Sequence, residues 1–367
     1  MRLDRLWLSD FRSYEAAEFV PHPEGLTVVA GRNGEGKTNL LEAVGYLATL
    51  RSFRGVPGEA LIRHGAERAV VRAQVDRGGR GVLIEAELVA SGRDRVQVNR
   101  QALRRARDLL GSFQVTVFSP DDLALVKGGP AERRDYLDEL LVALHPRHDA
   151  TQTELDRVTR QRNALLKSVA GVRQPPEDVV TTLDVWDRKL AVAGEALAAA
   201  REGLTRALEP FADACYAELA SPSADRVGLV YRRSWSGPLA EALFEARADD
   251  LRRGLTTVGP HRDELDLVID GMPARTHASQ GEQRSLALAL RLAGHRVVTD
   301  RLETAPVLLL DDVFSELDDH RSAALLRALP TGQALLTTAG SLPPGVRPEA
   351  IWHVEDGKVW EEPVGRP

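Results

Sequence analysis

Short stretches in which hydrophobic and polar residues alternate fill the N-terminal third of the chain, a pattern typical of half-buried strands. Leucines alternate with charged residues over 2–9 and predict a first strand. Three alternating runs between Ala69 and Asn99 are separated by glycine-containing turns, and they predict antiparallel hairpins. Val115–Phe118 predicts one more short strand, and the apolar run Leu26–Ala30 predicts a buried one.

Apolar residues spaced three and four apart dominate the middle of the chain. Residues 131–168 and 178–220 are rich in alanine, leucine and charge, and 174–177 (Gln-Pro-Pro-Glu) separates them. This spacing predicts a two-helix hairpin, polar enough to stand off the body as an arm. Residues 227–233 favour a strand, and residues 238–254 favour another helix.

Buried strands return towards the C-terminus. Pro306–Asp312 is an apolar run that ends in two carboxylates, and Ala334–Thr338 predicts a second strand after a helix over 319–329. Residues 351–354 and 358–360 predict a closing hairpin. The expected fold is therefore α/β and discontinuous, with one domain formed by 1–120 and 255–367 and an inserted helical lobe formed by 121–254.

A glycine-rich loop separates the strand at Leu26–Ala30 from a helical pattern. Glycines without Cβ atoms let backbone N–H groups close around a polyphosphate, and the helix start adds its positive end. The loop matches the phosphate-binding pattern G-x-x-x-x-G-K-T, with Lys37 predicted to reach the β- and γ-phosphates and Thr38 to bind Mg²⁺. The residues of this loop are Gly31, Arg32, Asn33, Gly34, Glu35, Gly36, Lys37 and Thr38. The alternative is a simple glycine turn, but only five of the 48 basic residues are lysines, which makes a chance lysine here improbable.

Two further segments complement the loop. Asp311 closes a strand as the Mg²⁺-holding carboxylate of P-loop ATPases does, and Asp312 is placed to orient water as a general base. Paired aspartates that merely end a strand are the alternative. Ser279 and Glu282 form an S-x-x-E capping box at the start of a helical run, yet the same helix start presents N–H groups to an anion.

Composition narrows the class of protein. A single cysteine, Cys215, excludes a disulfide framework, and no run of 18 apolar residues or signal peptide is present, so we expect an intracellular chain without a membrane segment. The formal net charge is −6, but residues 51–107 contain thirteen arginines against six acidic residues, a local net charge of +7. This segregation is compatible with a DNA-binding patch as well as with a solvated surface.

The combination of these motifs resembles ABC-type ATPase heads, and the order and spacing resemble the RecF family of bacterial recombination mediators. Further similar segments are 8–15 (LSDFRSYE), 50–55 (LRSFRG), 120–138 and 259–265 (GPHRDEL). The resemblance implies an ABC-type head with mixed and antiparallel sheets, ATP and Mg²⁺ as ligands, slow DNA-dependent ATP hydrolysis and ATP-dependent homodimers. It also implies DNA gaps or junctions, RecO, RecR and indirectly RecA as partners, in cytoplasmic DNA repair, replication and the SOS response.

Residue roles implied by the resemblance follow the motifs. The loop from Gly31 to Thr38 corresponds to Walker A, Asp311 and Asp312 to Walker B, Ser315–Asp318 to the D-loop, and Arg12 to an N-terminal arginine that contacts phosphate. The signature motif corresponds to Ser279, Gln280, Gly281, Glu282 and Gln283. The patch 51–107 suggests DNA contacts for Arg104, Arg105 and Arg107.

This chain departs from ABC proteins at two positions. Asp312 replaces the usual glutamate, and Thr337-Thr338 stands where a switch histidine is expected. Because aspartate reaches less far, we expect slow hydrolysis. Gln114 is only a candidate for the glutamine loop.

Two motifs, Val126–Pro130 and Gly259–Asp263, have no chemistry that their spacing reveals. Pro130 suits the start of a helix. His261 suits a packed or capping role better than a catalytic one.

Three other functions compete with a DNA-repair switch. About 240 residues separate the phosphate loop from Ser279, a longer and more helical interval than a transporter's nucleotide-binding subunit needs. A kinase-like phosphotransferase would have no use for the second, remote helix start. An SMC-type structural ATPase requires longer heptad arms than 131–220 provides.

Overall fold

The computed structural model describes residues 1–172, 175–220, 225–340, 342 and 344–362. Gln174, part of the predicted separator between two helices, lies outside these residues. The chain forms two compact units: the first contains Met1–Asp122, Ala214–Ser223 and Arg284–Pro367, and the second contains Leu123–Asp213 and Ala224–Gln283.

The described residues form fifteen strands. They are β1 (Arg2–Phe11), β2 (Tyr14–Phe19), β3 (Gly25–Ala30), β4 (Arg68–Asp76), β5 (Gly81–Val89), β6 (Arg95–Val98), β7 (Gln101–Ala102), β8 (Val115–Phe118), β9 (Val227–Arg232), β10 (Glu264–Ile269), β11 (Met272–Pro273), β12 (Val307–Asp311), β13 (Gln333–Thr338), β14 (Ala350–Glu355) and β15 (Lys358–Glu361).

The same residues form nine α-helices. They are α1 (Lys37–Thr49), α2 (Ala124–Lys127), α3 (Pro130–Leu144), α4 (Arg147–Ser168), α5 (Glu177–Leu219), α6 (Leu239–Arg253), α7 (Ala274–His277), α8 (Gln280–Leu302) and α9 (Asp319–Ala328). Within the described residues, no helix combines the length and apolar character that crossing a bilayer requires.

The first unit contains two six-stranded sheets. One has the order β15-β14-β3-β13-β12-β8, in which every pairing is parallel except that of β14 with β15. The other is antiparallel, with the order β2-β1-β4-β5-β6-β7. Helix α1 and both sheets contribute side chains to one hydrophobic core, in which Phe11, Leu41 and Val71 are fully buried. This core fixes the strand ends that surround the glycine-rich loop.

The second unit combines helices α3 to α6 with a three-stranded sheet of order β11-β10-β9. A buried Arg162 on α4 holds the helices together, because it pairs with Asp187 on α5 and with Asp250 on α6, both at 2.6 Å. On α5, Arg201 also pairs with Asp138 of α3 at 2.7 Å. Helix α5 therefore contributes to the core of this unit.

Most strands and helices lie where the hydrophobic pattern predicts them, but the predicted two-helix hairpin is wrong in one respect. Its first helix is divided into α3 and α4, because Pro146 disfavours helical backbone at His145, which is extended. Further along the chain, strand β10, which the pattern did not predict, pairs with β9. Consequently residues 255–283, predicted to belong to the discontinuous domain, lie in the second unit.

Candidate nucleotide-binding site

The glycine-rich loop joins β3 to α1 in the first unit, as its sequence predicts. Gly36 has φ of 114°, a left-handed value that favours glycine, and a Cβ there would lie 2.5 Å from Ser13 Oγ. The loop borders an open cavity of about 290 Å³. Its lining residues are Asn33, Gly34, Gly36, Lys37, Thr38, Asn39, Arg54, Asp312 and Thr337.

Lys37 is held inside the loop by the loop itself. Its Nζ donates to the carbonyl oxygens of Gly31 and Arg32, both at 2.8 Å. The side chain is largely buried, and this burial lowers the pKa of Lys37 despite the nearby carboxylates of Asp312 and Asp311. Gly31 and Arg32 thus position the lysine through their backbone carbonyl oxygens. Its predicted contact with phosphate oxygens would replace these hydrogen bonds.

The carboxylates after β12 lie beside the loop. Thr38 Oγ1 donates to Asp311 Oδ1 at 2.8 Å, although 273 residues separate the two. Thr337 Oγ1 donates to the same oxygen, also at 2.8 Å. Burial raises the pKa of Asp311, and these two hydroxyl donors oppose that shift. Asp312 adds a second carboxylate at the cavity wall.

These side chains fit a nucleotide with its Mg²⁺ ion. Because the Thr38 proton points at Asp311, a lone pair of the hydroxyl oxygen remains for a hard cation. No group of three or more His, Cys, Asp or Glu side chains in the described chain forms a complete metal site. Mg²⁺ commonly binds one or two protein oxygens together with phosphate oxygens.

Arg12 is not among the residues that line the cavity, and the phosphate contact predicted for it stays a prediction. Its Nε and Nη2 donate to the two carboxylate oxygens of Glu42, both at 2.8 Å, and its Nη1 donates to Ala60 O. Since Glu42 is fully buried, this bidentate pair compensates a charge inside the core. Arg12 therefore links α1 to the preceding strands in the structure.

The Glu35 side chain also bonds a residue that does not line the cavity. Its Oε2 accepts a hydrogen bond from the Asp356 backbone N–H at 2.7 Å, in the turn between β14 and β15. The Tyr14 hydroxyl donates to Gly36 O at 2.8 Å. The loop is thus held by two contacts that involve backbone atoms.

Three cavity residues were missed by sequence reasoning. Arg54 contributes a positive charge, Asn39 donates to Ser13 Oγ at 3.0 Å, and Thr337 contacts Asp311. The segment 50–55 contained a usable signal for Arg54, since it lies shortly after α1 and is rich in arginine. No comparable pattern marks Asn39, whereas Thr337 stands at the place where a switch histidine was expected.

The start of α8 forms the capping box that its sequence predicts. The Ser279 backbone N–H donates to Glu282 Oε2 at 2.6 Å, and the Glu282 N–H is 3.3 Å from Ser279 Oγ. Ser279 and Gln280 are exposed, Gly281 is half-buried, and the Gln283 side chain donates to the carbonyl oxygens of 274 and 275. Residues up to Gln283 belong to the second unit, and α8 continues into the first.

The D-loop candidate Ser315–Asp318 is held by α8 and α9. Arg284 donates to Glu316 O at 2.9 Å, and Asp318 accepts from the Arg321 N–H as the N-cap of α9. Gln114 is buried at the start of β8. Its assignment to a glutamine loop stays a prediction.

The two unassigned motifs have structural partners. Pro130 is the first residue of α3. His261 Nε2 lies 3.2 Å from Thr256 O, and burial lowers the pKa of His261 to about 4. Asp263 accepts from the Ser234 N–H at 2.7 Å and from the Tyr231 hydroxyl. Both motifs therefore have a packing explanation inside the second unit.

The arginine-rich segment places some arginines on the antiparallel sheet and others after strand β7. On the antiparallel sheet, Arg72 pairs with Glu85, while Arg68 and Arg95 share Glu87. After β7, Arg104 is exposed, Arg105 pairs with Asp108 at 2.8 Å, and Arg107 is half-buried. Two glutamates on the sheet thus balance part of the positive charge of 51–107.

Comparison with known proteins decides the family. The model of the RecF/RecN/SMC N-terminal domain matches residues 2–338. The "DNA replication and repair protein RecF" of Streptomyces avermitilis is 45% identical, and the match covers 98% of this chain and 99% of the relative. That of Frankia alni is also 45% identical, over 92% and 93% of the two chains. The chain belongs to the RecF family.

Solved structures agree with this assignment. A structure of the recombination mediator protein RecF with ATP, from the RecFOR pathway, is 29% identical with a TM-score of 0.90, and the match covers 98% of this chain and 97% of that one. The SMC head domain of Pyrococcus furiosus is 16% identical with a TM-score of 0.56, over 98% and 96% of the chains, and shares the fold alone. The RecF-family chain thus has the predicted ATPase-head fold.

Proposed function

We propose that this chain is an ATP-dependent DNA-binding protein of recombinational repair, in which ATP binding joins two copies on DNA and slow hydrolysis separates them. The observation that carries the proposal is the 2.8 Å hydrogen bond between Thr38 and Asp311, made beside Lys37 and Asp312 at one cavity. A glycine loop alone binds many phosphates, but the added carboxylates supply the parts of a hydrolytic site.

Each cavity residue has a distinct part in the proposed reaction. The loop N–H groups, Lys37 and Arg54 bind and orient the phosphates, and Thr38 and Asp311 are the residues that would hold Mg²⁺. When bound, that ion neutralises negative charge on the phosphates. Asp312 accepts a proton from the attacking water. Its short side chain supports a low rate, as expected for a switch.

The exposed start of α8 supports the proposed dimer. Ser279 and Gln280 leave helix N–H groups accessible, and in an ABC-type dimer these would face the phosphates bound by the partner copy. The capping box is compatible with this use, because only some of the free N–H groups are engaged by Ser279 and Glu282.

DNA gaps or junctions, with RecO, RecR and indirectly RecA, are the partners we propose, in the cytoplasm and in the context of replication, DNA damage and the SOS response. The family relationship supports these partners. Arg104, Arg105 and Arg107 are the proposed DNA contacts, since they end the arginine-rich segment 51–107 and follow the antiparallel sheet.

Two substitutions test the proposal by separating binding from hydrolysis. Lys37→Ala removes a charge that contacts the bound phosphates, so we expect ATP affinity measured by calorimetry to fall at least about 100-fold. Asp312→Asn leaves the phosphate contacts in place, so affinity should stay within about threefold while turnover falls at least about 100-fold. Normal hydrolysis by Asp312→Asn would remove Asp312 from the proposed mechanism, and unchanged affinity in Lys37→Ala would contradict the site itself.

A further inference from the structure

Thr337 lies in β13, which pairs in parallel with β12 and so brings two segments that are distant in sequence side by side. It is the penultimate residue of β13, is 1% exposed and pairs in register with Asp311 of β12. Asp312 directly follows Asp311, the residue of β12 that is paired with Thr337. The residue therefore adjoins both carboxylates of the proposed site.

The hydroxyl of Thr337 is engaged in two directions. It donates its proton to Asp311 Oδ1 at 2.8 Å and accepts the Asp312 backbone N–H at 2.9 Å. Since a hydroxyl has one proton, its donation to the carboxylate fixes its lone pairs towards the amide. One side-chain oxygen thus orients the carboxylate of Asp311 and the backbone of Asp312 together.

The backbone of Asp312 needs such support. Its φ of 48° and ψ of 26° lie in the left-handed region, which residues with a Cβ adopt less readily than ordinary backbone, although Asp tolerates it better than most. These backbone angles help to set the direction of the Asp312 side chain, and Asp312 lines the same cavity as Thr337. Without the bond to the Asp312 N–H, an unfavourable conformation would have one restraint fewer.

We propose that Thr337 is a positioning residue, whose hydroxyl holds Asp311 in place and keeps Asp312 in the left-handed conformation that aims its carboxylate into the cavity. The expected effect on turnover rests on the proposed ATPase function. The expected effect on the conformation of Asp312 is independent of it.

Thr337→Val is the decisive variant, because valine keeps the shape and β-branching that suit a buried strand and removes only the hydroxyl. Thr337→Ser is the rescue variant, since it restores the hydroxyl. Thr338→Val is the matched control: it makes the same chemical change at the next residue, whose hydroxyl bonds Gly340 instead of the carboxylates. All three are compared with the unsubstituted chain by crystallography, amide hydrogen exchange and steady-state kinetics.

In Thr337→Val we expect Asp312 to leave the left-handed region and its amide to exchange at least about tenfold faster. We expect kcat to fall at least about tenfold with KM for ATP within about threefold, because misplaced groups affect the reaction more than binding. Thr337→Ser and Thr338→Val should resemble the unsubstituted chain in all three measurements.

An unchanged Asp312 conformation and amide exchange rate in Thr337→Val would overturn the proposal, whatever the turnover. Equal losses in Thr337→Val and Thr338→Val would also overturn it. If the unsubstituted chain hydrolysed no ATP, the proposed function would fail, and the structural and exchange comparison would still decide the role of Thr337.

Discussion

At the scale of residues, the candidate site depends on hydrogen bonds between side chains that are remote in sequence. Thr38 and Asp311 were predictable, because each occupies a fixed place in a motif whose residues have known roles in phosphate and Mg²⁺ binding. Thr337 was not, since its partners follow from the register of β12 and β13. Arg12 pairs with the buried carboxylate of Glu42, a partner that its motif did not indicate, and its contact with phosphate stays a prediction.

A buried histidine gives a prediction about acid stability. His295 is 1% exposed, its Nδ1 lies 3.0 Å from Thr116 Oγ1, and burial lowers its pKa from 6.5 to about 4. Between these two pH values the unfolded chain binds more protons than the folded one, so stability falls as the pH falls from 6.5 to about 4.

His295→Gln removes this titration, while His320→Gln makes the same change at an exposed position of α9. Between about pH 7 and pH 5, the free energy of unfolding of His295→Gln should fall by about 2 kcal/mol less than that of the unsubstituted chain. Urea unfolding at each pH measures this difference. Parallel pH profiles for the chain and His295→Gln, or an equal effect of His320→Gln, would refute the explanation.

At the scale of elements, the hydrophobic pattern was sufficient for most strands and for α1, α6 and α9, but it did not predict β2, β7, β10 and β11. It failed where one residue breaks a continuous pattern, as Pro146 does between α3 and α4. It also gave no partner for β9, because the pairing with β10 joins segments that a helix and a loop separate. Hydrophobic periodicity predicts where helices and strands form. The points where a helix is interrupted and the pairing of strands depend on backbone constraints and tertiary packing.

The ion pairs of the antiparallel sheet lead to a prediction about DNA binding. Replacing Arg104, Arg105 and Arg107 with alanine should weaken DNA binding and flatten its dependence on salt, by up to about 0.9 in the log–log slope for each phosphate that an arginine no longer neutralises. The control replaces Arg68, Arg72 and Arg95, which removes the same charge from the strands of the antiparallel sheet, where these residues pair with glutamates. Fluorescence anisotropy with a gapped duplex at several salt concentrations measures both slopes, and ATP affinity should survive in both variants.

If the control variant flattened the slope as much as the first, net charge rather than a defined surface would explain binding. If neither variant changed it, the DNA surface would lie elsewhere on the chain.

At the scale of the whole molecule, the central claim is that ATP joins two copies of the chain. The phosphate loop belongs to the first unit, and the exposed helix start at Ser279 belongs to the second. In the proposed dimer each nucleotide lies between the loop of one copy and the helix start of the other. ATP would then be part of the contact between copies, and its hydrolysis would weaken that contact and release DNA.

Sedimentation velocity of the Asp312→Asn chain, which should bind ATP without consuming it, tests this claim most directly. We predict monomers without nucleotide, dimers with ATP and Mg²⁺, and a larger dimer fraction when gapped DNA is added. Adding Ser279→Arg, which places a bulky charged group at the helix start, should keep the chain monomeric with ATP while ATP still binds. An Asp312→Asn chain that binds ATP yet stays monomeric with and without DNA, or that dimerises equally well with Ser279→Arg, would contradict the claim.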